Sequence, residues 1–183
     1  QFTCATTAAA TVRCWGANNA GQLADGTRIN RATPVTVPGV DDAVQVASGG
    51  NEACVVRAGG AVSCWSGGLG PTPVAGIGPV VSLDLSSHHT CAVVVDGTAR
   101  CWGNNTQGQL GDGTTTDRNT PVVVQGLTGA ISVTLGGAHS CAAMRTGAVR
   151  CWGWNTQGRL GNGEPLTHPT PVAVTVASGL NAI

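Results

Sequence analysis

Lysine and tyrosine are absent from this chain of 183 residues, and phenylalanine and methionine occur once each. The nine basic residues are therefore all arginine, and nine acidic residues balance them to a formal net charge of zero. Because no run of basic residues exists, the sequence offers no electrostatic footprint for nucleic acid or an anionic membrane. No apolar stretch approaches the roughly twenty residues that cross a bilayer as a helix, so we expect no membrane insertion.

Helical patterns are also missing. The 28 glycines and nine prolines interrupt the chain often, and no stretch of about twelve residues keeps helical spacing. What remains is a series of short runs rich in valine and small residues, separated by turn residues, and this pattern predicts an all-β protein. Because aromatic residues make up only 3% of the chain, the core must come from valine, alanine, leucine and the tryptophans.

Cysteine, by contrast, is frequent and regularly placed. Its eight residues form four pairs with members ten positions apart, and a tryptophan follows the second member of every pair. The pairs are Cys4 with Cys14, Cys54 with Cys64, Cys91 with Cys101, and Cys141 with Cys151. Equivalent cysteines are separated by 50, 37 and 50 residues, and internal repeats of this length are typical of propellers, solenoids and repeat arrays. The shorter interval reflects a missing loop after Trp65.

Each cysteine pair predicts a β-hairpin with a cross-strand disulfide. If Cys91 faces Cys101, the hairpin closes on a three-residue loop at 95–97, whose third position favours a left-handed conformation and hence glycine. The same register makes the cysteines a non-hydrogen-bonded pair, with α-carbons close enough for a disulfide. Ala10 stands at the glycine position in the first copy, where a left-handed alanine costs roughly 1 kcal/mol. We therefore expect the first hairpin to be looser or to use another turn.

The cysteine spacing favours disulfides over a zinc site. Paired zinc ligands prefer gaps of about two to four residues, whereas nine residues separate the paired cysteines here. His89 and His139 lie two positions before a cysteine, but Phe2 and Glu52 take that place in the other copies. We expect no bound metal and no cofactor. Four cross-strand disulfides imply an oxidising compartment, so the protein is predicted to be secreted, extracellular or on the cell surface.

A longer motif surrounds the cysteine pairs. Residues 102–114 read WGNNTQGQLGDGT, residues 152–163 read WGWNTQGRLGNG and residues 15–27 read WGANNAGQLADGT, and each is followed by Thr-Pro-Val and an apolar run. This unit resembles the regulator of chromosome condensation repeat family, and the resemblance covers nearly the whole chain. It implies β-propeller blades of four antiparallel strands. The cysteine pairs depart from the nuclear members of the family and resemble a secreted, bacterial branch.

The repeats predict a single propeller-type domain with copies at approximately 1–43, 44–79, 80–129 and 130–175. Residues 176–183 match residues 46–53 and are therefore expected to start or complete a further blade. Three arrangements follow from this: a ring of four blades, a segment of a longer propeller, or copies that associate head to tail. The last is considered because an open repeat array exposes strand edges that can pair.

Few residues in this frame suggest catalysis or ion binding. The Asn, Asp and Gly residues of the loops are expected to cap turns rather than to hold phosphate or calcium. His89 and His139 are followed by Thr90 and Ser140, but neighbouring residues of a strand point to opposite faces. We therefore expect no catalytic residues and no enzyme.

Five residues are candidates for recognition. The position held by Phe2, Glu52, His89 and His139 varies in an otherwise regular frame, as a recognition surface would. Trp154 is the one tryptophan outside the repeat pattern, and it is either a core residue or an aromatic anchor exposed in a loop. Residues 104–106 read Asn-Asn-Thr, a glycosylation sequon that matters only in an organism that glycosylates its proteins.

These features favour a secreted, non-enzymatic β-propeller scaffold that binds a protein partner or further copies of itself. The alternatives are a structural subunit of an extracellular fibre or surface layer and an inhibitor of a secreted enzyme. The family resemblance also raises guanine-nucleotide exchange on a small GTPase, and the oxidising compartment argues against that activity.

Overall fold

A computed structural model describes residues 1–175; residues 176–183, where a further blade was expected, lie outside the described part. The described chain contains fifteen β-strands and no helix. The strands are β1 (Phe2–Thr6), β2 (Val12–Gly16), β3 (Arg31–Thr36), β4 (Ala43–Gly49), β5 (Glu52–Arg57), β6 (Val62–Ser66), β7 (Thr72–Pro73), β8 (Val80–Leu85), β9 (His89–Val94), β10 (Ala99–Gly103), β11 (Arg118–Val123), β12 (Ala130–Leu135), β13 (His139–Met144), β14 (Val149–Gly153) and β15 (His168–Ala173).

The strands form four separate antiparallel sheets, which we call blades 1 to 4. Blade 1 has the order β1-β2-β3, blade 2 β4-β5-β6-β7, blade 3 β8-β9-β10-β11 and blade 4 β12-β13-β14-β15. Every sheet pairs strands that follow one another in sequence, because short turns connect them. The all-β prediction and the four-stranded antiparallel blade are thus confirmed, and blade 1 has three strands among the described residues.

The contacts between residues divide the chain into two compact units, Gln1–Val80 and Val81–Ile183. Unit 1 holds blades 1 and 2, and unit 2 holds nearly all of blade 3 together with the described part of blade 4. Each unit has its own apolar core, and each core draws side chains from both of its blades. Valine, leucine, alanine and a repeat tryptophan supply most of these cores, with Trp65 in unit 1 and Trp152 in unit 2.

The four predicted disulfides are all present, each within the central hairpin of a blade. Their α-carbons are 4.0 to 4.1 Å apart, and the two cysteines of each pair face each other across the hairpin. The bridges are Cys4–Cys14 in blade 1, Cys54–Cys64 in blade 2, Cys91–Cys101 in blade 3 and Cys141–Cys151 in blade 4. The pairing predicted from the ten-residue spacing is therefore confirmed in every copy.

The turn of the blade 3 hairpin also has the predicted form. The Gly97 amide donates to the Val94 carbonyl at 2.9 Å, which closes the loop at 95–97. Gly97 has a φ of +80°. The three-residue loop and its left-handed glycine are thus confirmed.

Of the two outcomes expected for the first hairpin, another turn is wrong, and a looser hairpin stays a prediction. Ala10 adopts the left-handed conformation itself, with a φ of +57°, and its amide donates to the Thr7 carbonyl at 2.9 Å. The hydroxyls of Thr7 and Thr11 hydrogen bond across the turn at 2.8 Å. The Ala10 carbonyl accepts from the Ala43 amide of blade 2 at 2.8 Å. These bonds offset the modest cost of a left-handed alanine.

Within residues 1–175 there is no helix long and apolar enough to cross a membrane.

Candidate functional site

A buried hydrogen-bond network connects the two blades of unit 2. The indole nitrogen of Trp152 donates to the backbone carbonyl of Gln109 at 2.8 Å, and the Ser140 hydroxyl donates to the same oxygen at 2.9 Å. In unit 1 the Trp65 indole donates to the Gln22 carbonyl at 3.0 Å. A repeat tryptophan in the later blade therefore binds the loop of the earlier blade in each unit.

His89 completes the network in unit 2. Its Nε2 lies 2.8 Å from the Ser140 hydroxyl and its Nδ1 lies 2.8 Å from the Ser86 hydroxyl. With the Ser140 proton donated to the Gln109 carbonyl, the neutral ring carries its proton on Nε2, and Nδ1 is the acceptor that faces Ser86, whose hydroxyl also lies 3.1 Å from the His89 carbonyl. Burial, together with the charges of His139 and His88, lowers the pKa of His89 to about 4. The ring is therefore neutral at physiological pH.

Sequence reasoning missed the contact between His89 and Ser140. It compared Ser140 only with the histidine of its own strand, whereas the histidine within reach belongs to the preceding blade. In this arrangement the Gln109 carbonyl accepts the Ser140 proton, and His89 donates to the Ser140 oxygen. His89 is 3% exposed and Ser140 is fully buried. His89, expected as a recognition residue, instead bonds the two blades together.

The long loops are organised by a buried asparagine, as their sequence predicts. In blade 1 the Asn18 amide group donates to Asp25 Oδ1 at 3.0 Å and its oxygen accepts from the Leu23 amide at 2.9 Å. Asn105 and Asn155 make the equivalent bonds, and all three side chains are 0% exposed. One side chain thereby satisfies several backbone groups that the loop could not otherwise pair.

The loop aspartates form ion pairs rather than a cation site. Asp25 pairs with Arg31 at 2.7 Å and Asp112 with Arg118 at 2.9 Å. Burial raises the pKa of Asp25, but hydrogen bonds from Thr27 and Arg31 outweigh that effect and lower it to about 2. Both oxygens of each carboxylate thus accept from donors no more than six residues further along the chain.

The cysteines hold the hairpins together and offer no reactive sulfur. Cys14 and Cys151, the second members of the first and last pairs, are buried, whereas Cys4 and Cys141 are half-buried. All eight cysteines are oxidised to disulfides, and the described chain has no free cysteine. A cysteine acts as a nucleophile or a metal ligand only as a thiolate. The role of these cysteines in the structure is therefore that of cross-strand bridges.

One cluster in the described part of the chain has the composition of a metal site. Glu52 lies with the sulfurs of Cys54 and Cys64, the ligand atoms all within 4.8 Å of one another. Both sulfurs belong to a disulfide and so cannot act as thiolate ligands. Burial raises the pKa of Glu52. This cluster does not have the chemistry to hold a metal.

A cleft of about 430 Å³ opens in unit 2, where the loops of blades 3 and 4 meet. The residues that line it are His88, Asn104, Thr106, Gln109, Gly137, Ala138, Trp154 and Arg159. His88 and Thr106 are exposed, and Trp154 and Arg159 are half-buried. The candidate anchor Trp154 therefore lies in the wall of a cleft and not in the apolar core.

Arg159 stacks on Trp154, with the guanidinium carbon 4.0 Å from the centre of the ring. In the preceding blade the same two repeat positions hold Asn104 and Gln109, and Gln109 Nε2 donates to Asn104 Oδ1 at 2.7 Å. Blade 4 thus has a cation–π pair where blade 3 has a pair of hydrogen-bonded amide side chains. Such a pair fixes a guanidinium in place, since an aromatic ring attracts a cation within about 6 Å of its centre.

The replacement also changes the backbone of the blade 4 loop. In blades 1 and 3 the glutamine side chain at this position accepts from a backbone amide two residues earlier, at 3.0 and 2.8 Å. Arginine has no acceptor atom, so this bond cannot form in blade 4. In blade 4 the backbone amide that loses this acceptor belongs to Gln157. Gln157 has a φ of +90°, whereas the equivalent residues Gln107 and Ala20 do not have positive φ. A non-glycine residue held in this conformation is strained by about 1–3 kcal/mol.

The other expected recognition residues lie elsewhere. Phe2 packs against the apolar core of unit 1, and Glu52 lies beside a disulfide. His139 is half-buried, its Nδ1 has no hydrogen-bond partner among the described residues, and burial and the charge of Arg159 lower its pKa. Asn104 of the sequon lies in the cleft wall, with its Nδ2 3.3 Å from Asp117.

His88, Gln109 and Arg159 are site residues that sequence reasoning did not single out. For Gln109 and Arg159, the aligned repeats contain a signal that could have found them. When the three long loops are aligned, the first position holds Ala17, Asn104 and Trp154, and the second position holds Gln22, Gln109 and Arg159. The copy that gains a tryptophan at the first position is also the copy that loses the glutamine at the second, and such a joint change is a signal of contact between the two side chains.

The fold and these loops define a β-propeller repeat protein whose blades are joined by tryptophan–carbonyl hydrogen bonds. Comparison with protein families agrees. The model of the regulator of chromosome condensation (RCC1) repeat matches residues 11–56, 96–143 and 146–183, and a second model of the same repeat matches 80–109 and 130–159. The chain belongs to the RCC1 repeat family. A search of curated protein sequences found no match.

Solved structures show the same fold. Human WBSCR16 has a TM-score of 0.84 at 22% identity, over 96% of this chain and 51% of that protein. Yeast RCC1 (Prp20), in complex with Kap60, has a TM-score of 0.82 at 19% identity, over 97% and 47%. The ectodomain of the Arabidopsis thaliana receptor kinase ACR4 has a TM-score of 0.55 at 21% identity, over 84% and 48%. This chain therefore spans about half the length of the structures it resembles.

Proposed function

We propose that this chain is a non-enzymatic scaffold that binds a protein partner through the loops of its blades, outside the reducing cytoplasm. The observation that carries the proposal is the cleft of unit 2, where an aromatic ring and a stacked guanidinium take the place of the amide pair that Asn104 and Gln109 form in blade 3. Tryptophan and arginine are enriched among the residues that dominate binding energy at protein interfaces. Loops on a rigid sheet scaffold are the usual place for such residues.

Two further observations support the location and the partner class. Four disulfides and no free cysteine in the described chain are typical of secreted and cell-surface proteins. Among proteins of similar fold, yeast Prp20 is described in complex with Kap60 and as binding Gsp1p and histones. Guanine-nucleotide exchange is the alternative, and a nucleotide-release assay with a purified small GTPase tests it directly.

Site-specific photo-crosslinking tests the scaffold proposal. A benzophenone amino acid replaces Thr106 at the cleft or Ala9 in the exposed turn of blade 1, and both proteins are exposed to the native extracellular fraction. We expect one protein to cross-link at position 106 and not at position 9, and unlabelled protein to compete with it. Equal labelling at both positions, or turnover of a substrate by the purified chain, would contradict the proposal.

A second function, association between copies, is favoured by the exposed face of blade 1. Trp152 and Ser140 of blade 4 are fully buried because they bond to the blade before them. Of the equivalent residues in blade 1, Trp15 is half-buried and Thr3 is exposed. We propose that Trp15 of one copy donates its indole N–H to the Arg159 carbonyl of another, which is the repeat equivalent of the Gln109 carbonyl.

Sedimentation velocity over a wide concentration range tests this association. We expect the mean mass to rise with concentration and Trp15→Phe to weaken association about tenfold, since phenylalanine keeps the ring but loses the donor. Trp102→Phe, the same substitution at the equivalent position of blade 3, is the matched control, because it lies outside the proposed contact. A protein that stays monomeric throughout, or associates equally well as W15F, would contradict the proposal.

A further inference from the structure

The cleft of unit 2 carries positive charge without a balancing carboxylate in its lining. Arg159 and His88 are its ionisable residues, and the remaining side chains of the lining are neutral. The carboxylate adjacent to the cleft, Asp117, is held by the Asn105 amide at 2.7 Å and by the Asn104 side chain at 3.3 Å. That carboxylate is thus already committed to the blade 3 loop, and no ion pair among the described residues joins it to Arg159.

Arg159 also has an unused donor. Its Nη2 donates to Gln157 Oε1 at 2.9 Å, but its Nε is buried and has no hydrogen-bond partner among the described residues. A buried polar atom without a partner is uncommon in a folded protein, and among the described residues Arg100 Nε and His139 Nδ1 share this state. Trp154 holds the guanidinium in place by stacking, and a guanidinium can bind a carboxylate through two parallel N–H donors.

The neutral polar groups of the cleft are, by contrast, already paired. Asn104 Oδ1 accepts from Thr106 at 3.0 Å and from Gln109 at 2.7 Å, and Gln109 Oε1 accepts from the Gln107 amide at 2.8 Å. A ligand rich in hydroxyls, such as an oligosaccharide, would therefore find few free partners there. A planar anion needs only the guanidinium and the apolar surface around it.

We propose that this cleft binds the carboxylate of an aspartate or glutamate side chain on the surface of a protein partner. Arg159 holds the carboxylate, Trp154 holds Arg159 and contacts the adjoining methylene groups, and His88 adds a donor at the rim. This inference rests on the proposed scaffold function and names the chemistry that its partner must present.

The repeat itself supplies the test variant. The double substitution Trp154→Asn with Arg159→Gln converts residues 152–161 into WGNNTQGQLG, the sequence of residues 102–111. This variant should fold, because the same ten residues already form the blade 3 loop, and it restores the glutamine acceptor for the Gln157 amide. Circular dichroism and thermal unfolding check that expectation before binding is measured.

The probe is an acetylated and amidated peptide, Gly-Glu-Glu-Gly, with Gly-Gln-Gln-Gly as its uncharged match. In ¹H–¹⁵N NMR titrations we expect the Arg159 Nε–H and Trp154 indole signals to shift with the glutamate peptide and not with the glutamine peptide. Binding should weaken at least tenfold in the double variant and several-fold in Arg159→Lys, because lysine cannot bind in the bidentate, stacked manner. Raising the salt concentration should also weaken it.

Several results would overturn the inference. No shift at millimolar peptide, equal shifts with both peptides, or unchanged binding in the folded double variant would each contradict carboxylate recognition. Shifts produced by neutral oligosaccharides alone would assign the cleft to sugars instead. If the double variant still cross-links its partner from position 106, the scaffold proposal stands and only the carboxylate assignment fails.

Discussion

The indole nitrogen of Trp152 lies 2.8 Å from the carbonyl oxygen of Gln109, forty-three residues earlier in the chain. This hydrogen bond joins blade 4 to the loop of blade 3, and Trp65 and Gln22 make the equivalent bond in unit 1. The repeat therefore does more than build four similar sheets. In both units a tryptophan that follows a cysteine pair fills the core with its ring and binds a loop of the preceding blade with its nitrogen.

Phenylalanine substitutions separate these two roles. The Gln109 carbonyl has a second donor, the Ser140 hydroxyl at 2.9 Å. In blade 2 the residue equivalent to Ser140 is Ala53, which has no hydroxyl to donate. Trp152→Phe should cost about 1 kcal/mol, because Gln109 keeps one partner, and Trp65→Phe should cost about 1–3 kcal/mol, because it leaves a buried acceptor unpaired. Urea unfolding measures both. A larger loss for Trp152→Phe would show that ring packing, and not the hydrogen bond, sets the difference.

The buried loop asparagines should matter more than their appearance in a turn suggests. Asn18→Ala leaves the Leu23 amide without its acceptor and removes the donor to Asp25. We expect a loss of about 2–4 kcal/mol, since more than one buried group loses its partner. Asn19→Ala, at the exposed neighbouring position, is the control and should change stability by less than about 0.5 kcal/mol. A loss of stability at Asn18 as small as the loss at Asn19 would mean that the buried asparagine contributes little to the stability of unit 1.

Glycine in the hairpin turns permits a positive φ, and in some copies it also leaves room for the neighbouring backbone. Substitutions can separate these two roles. A Cβ on Gly97 would lie 2.9 Å from the nitrogen of Gly129, the residue directly before blade 4, whereas a Cβ on Gly147 would meet no described atom within 4 Å. Both residues have positive φ, at +80° and +84°. Gly147→Ala should therefore cost roughly 1 kcal/mol from the backbone alone, and Gly97→Ala should cost at least twice that amount because a clash is added. Equal costs would show that the blades separate easily.

Much of this fold follows from local rules that a single sequence displays. The ten-residue cysteine spacing and the glycine at position 97 determine a hairpin register that depends only on turn chemistry and on the pairing of opposite residues. The four-stranded blade came from the family resemblance. The failure at Ala10 has a physical reason: bonds from Thr7, Thr11 and Ala43 stabilise a turn that the isolated alanine would disfavour.

The candidate site was harder to predict because it joins residues about fifty positions apart. His89 and Ser140 meet across two blades, and the strand rule that separates adjacent residues says nothing about such pairs. Trp154 was recognised because it breaks the repeat. Its partner Arg159 was treated as a variant of the repeat motif, and only the stacked geometry shows that the two changes form one feature.

The four disulfides should differ in their resistance to reduction. Every bridge has at least one buried cysteine, but Cys4 and Cys141 are half-buried, whereas both members of the other two bridges are buried. Because a thiolate must reach the sulfur it attacks, mild reductant without denaturant should open the more exposed pair of bridges first. The expected order is Cys4–Cys14 and Cys141–Cys151 before Cys54–Cys64 and Cys91–Cys101. Timed alkylation with peptide mapping gives the order, and bridges between copies of the repeat in the untreated protein would contradict the observed pairing.

The stability of unit 2 should depend on pH through His89. The pKa of its buried imidazole is about 4 in the folded protein, against 6.5 for an ordinary histidine. A lowered histidine pKa means that the unfolded chain binds the proton more tightly, so stability is fully present above pH 6.5 and is lost as the pH falls toward 4. The shift corresponds to at most about 3 kcal/mol. The pKa of Asp25 is about 2, so its contribution is lost only below the ordinary aspartate value of 3.8 and does not overlap this window.

His89→Gln isolates the effect, because glutamine can still donate to Ser140 but does not titrate. Urea unfolding from about neutral pH down to the folded pKa of His89 should show a steep loss of stability for the native sequence and a much flatter profile for the variant. Some slope should remain in the variant, since the pKa of half-buried His139 is also lowered. Identical profiles for the two proteins would mean that the cleft side of unit 2 opens at acidic pH and hydrates His89 before the imidazole takes up its proton.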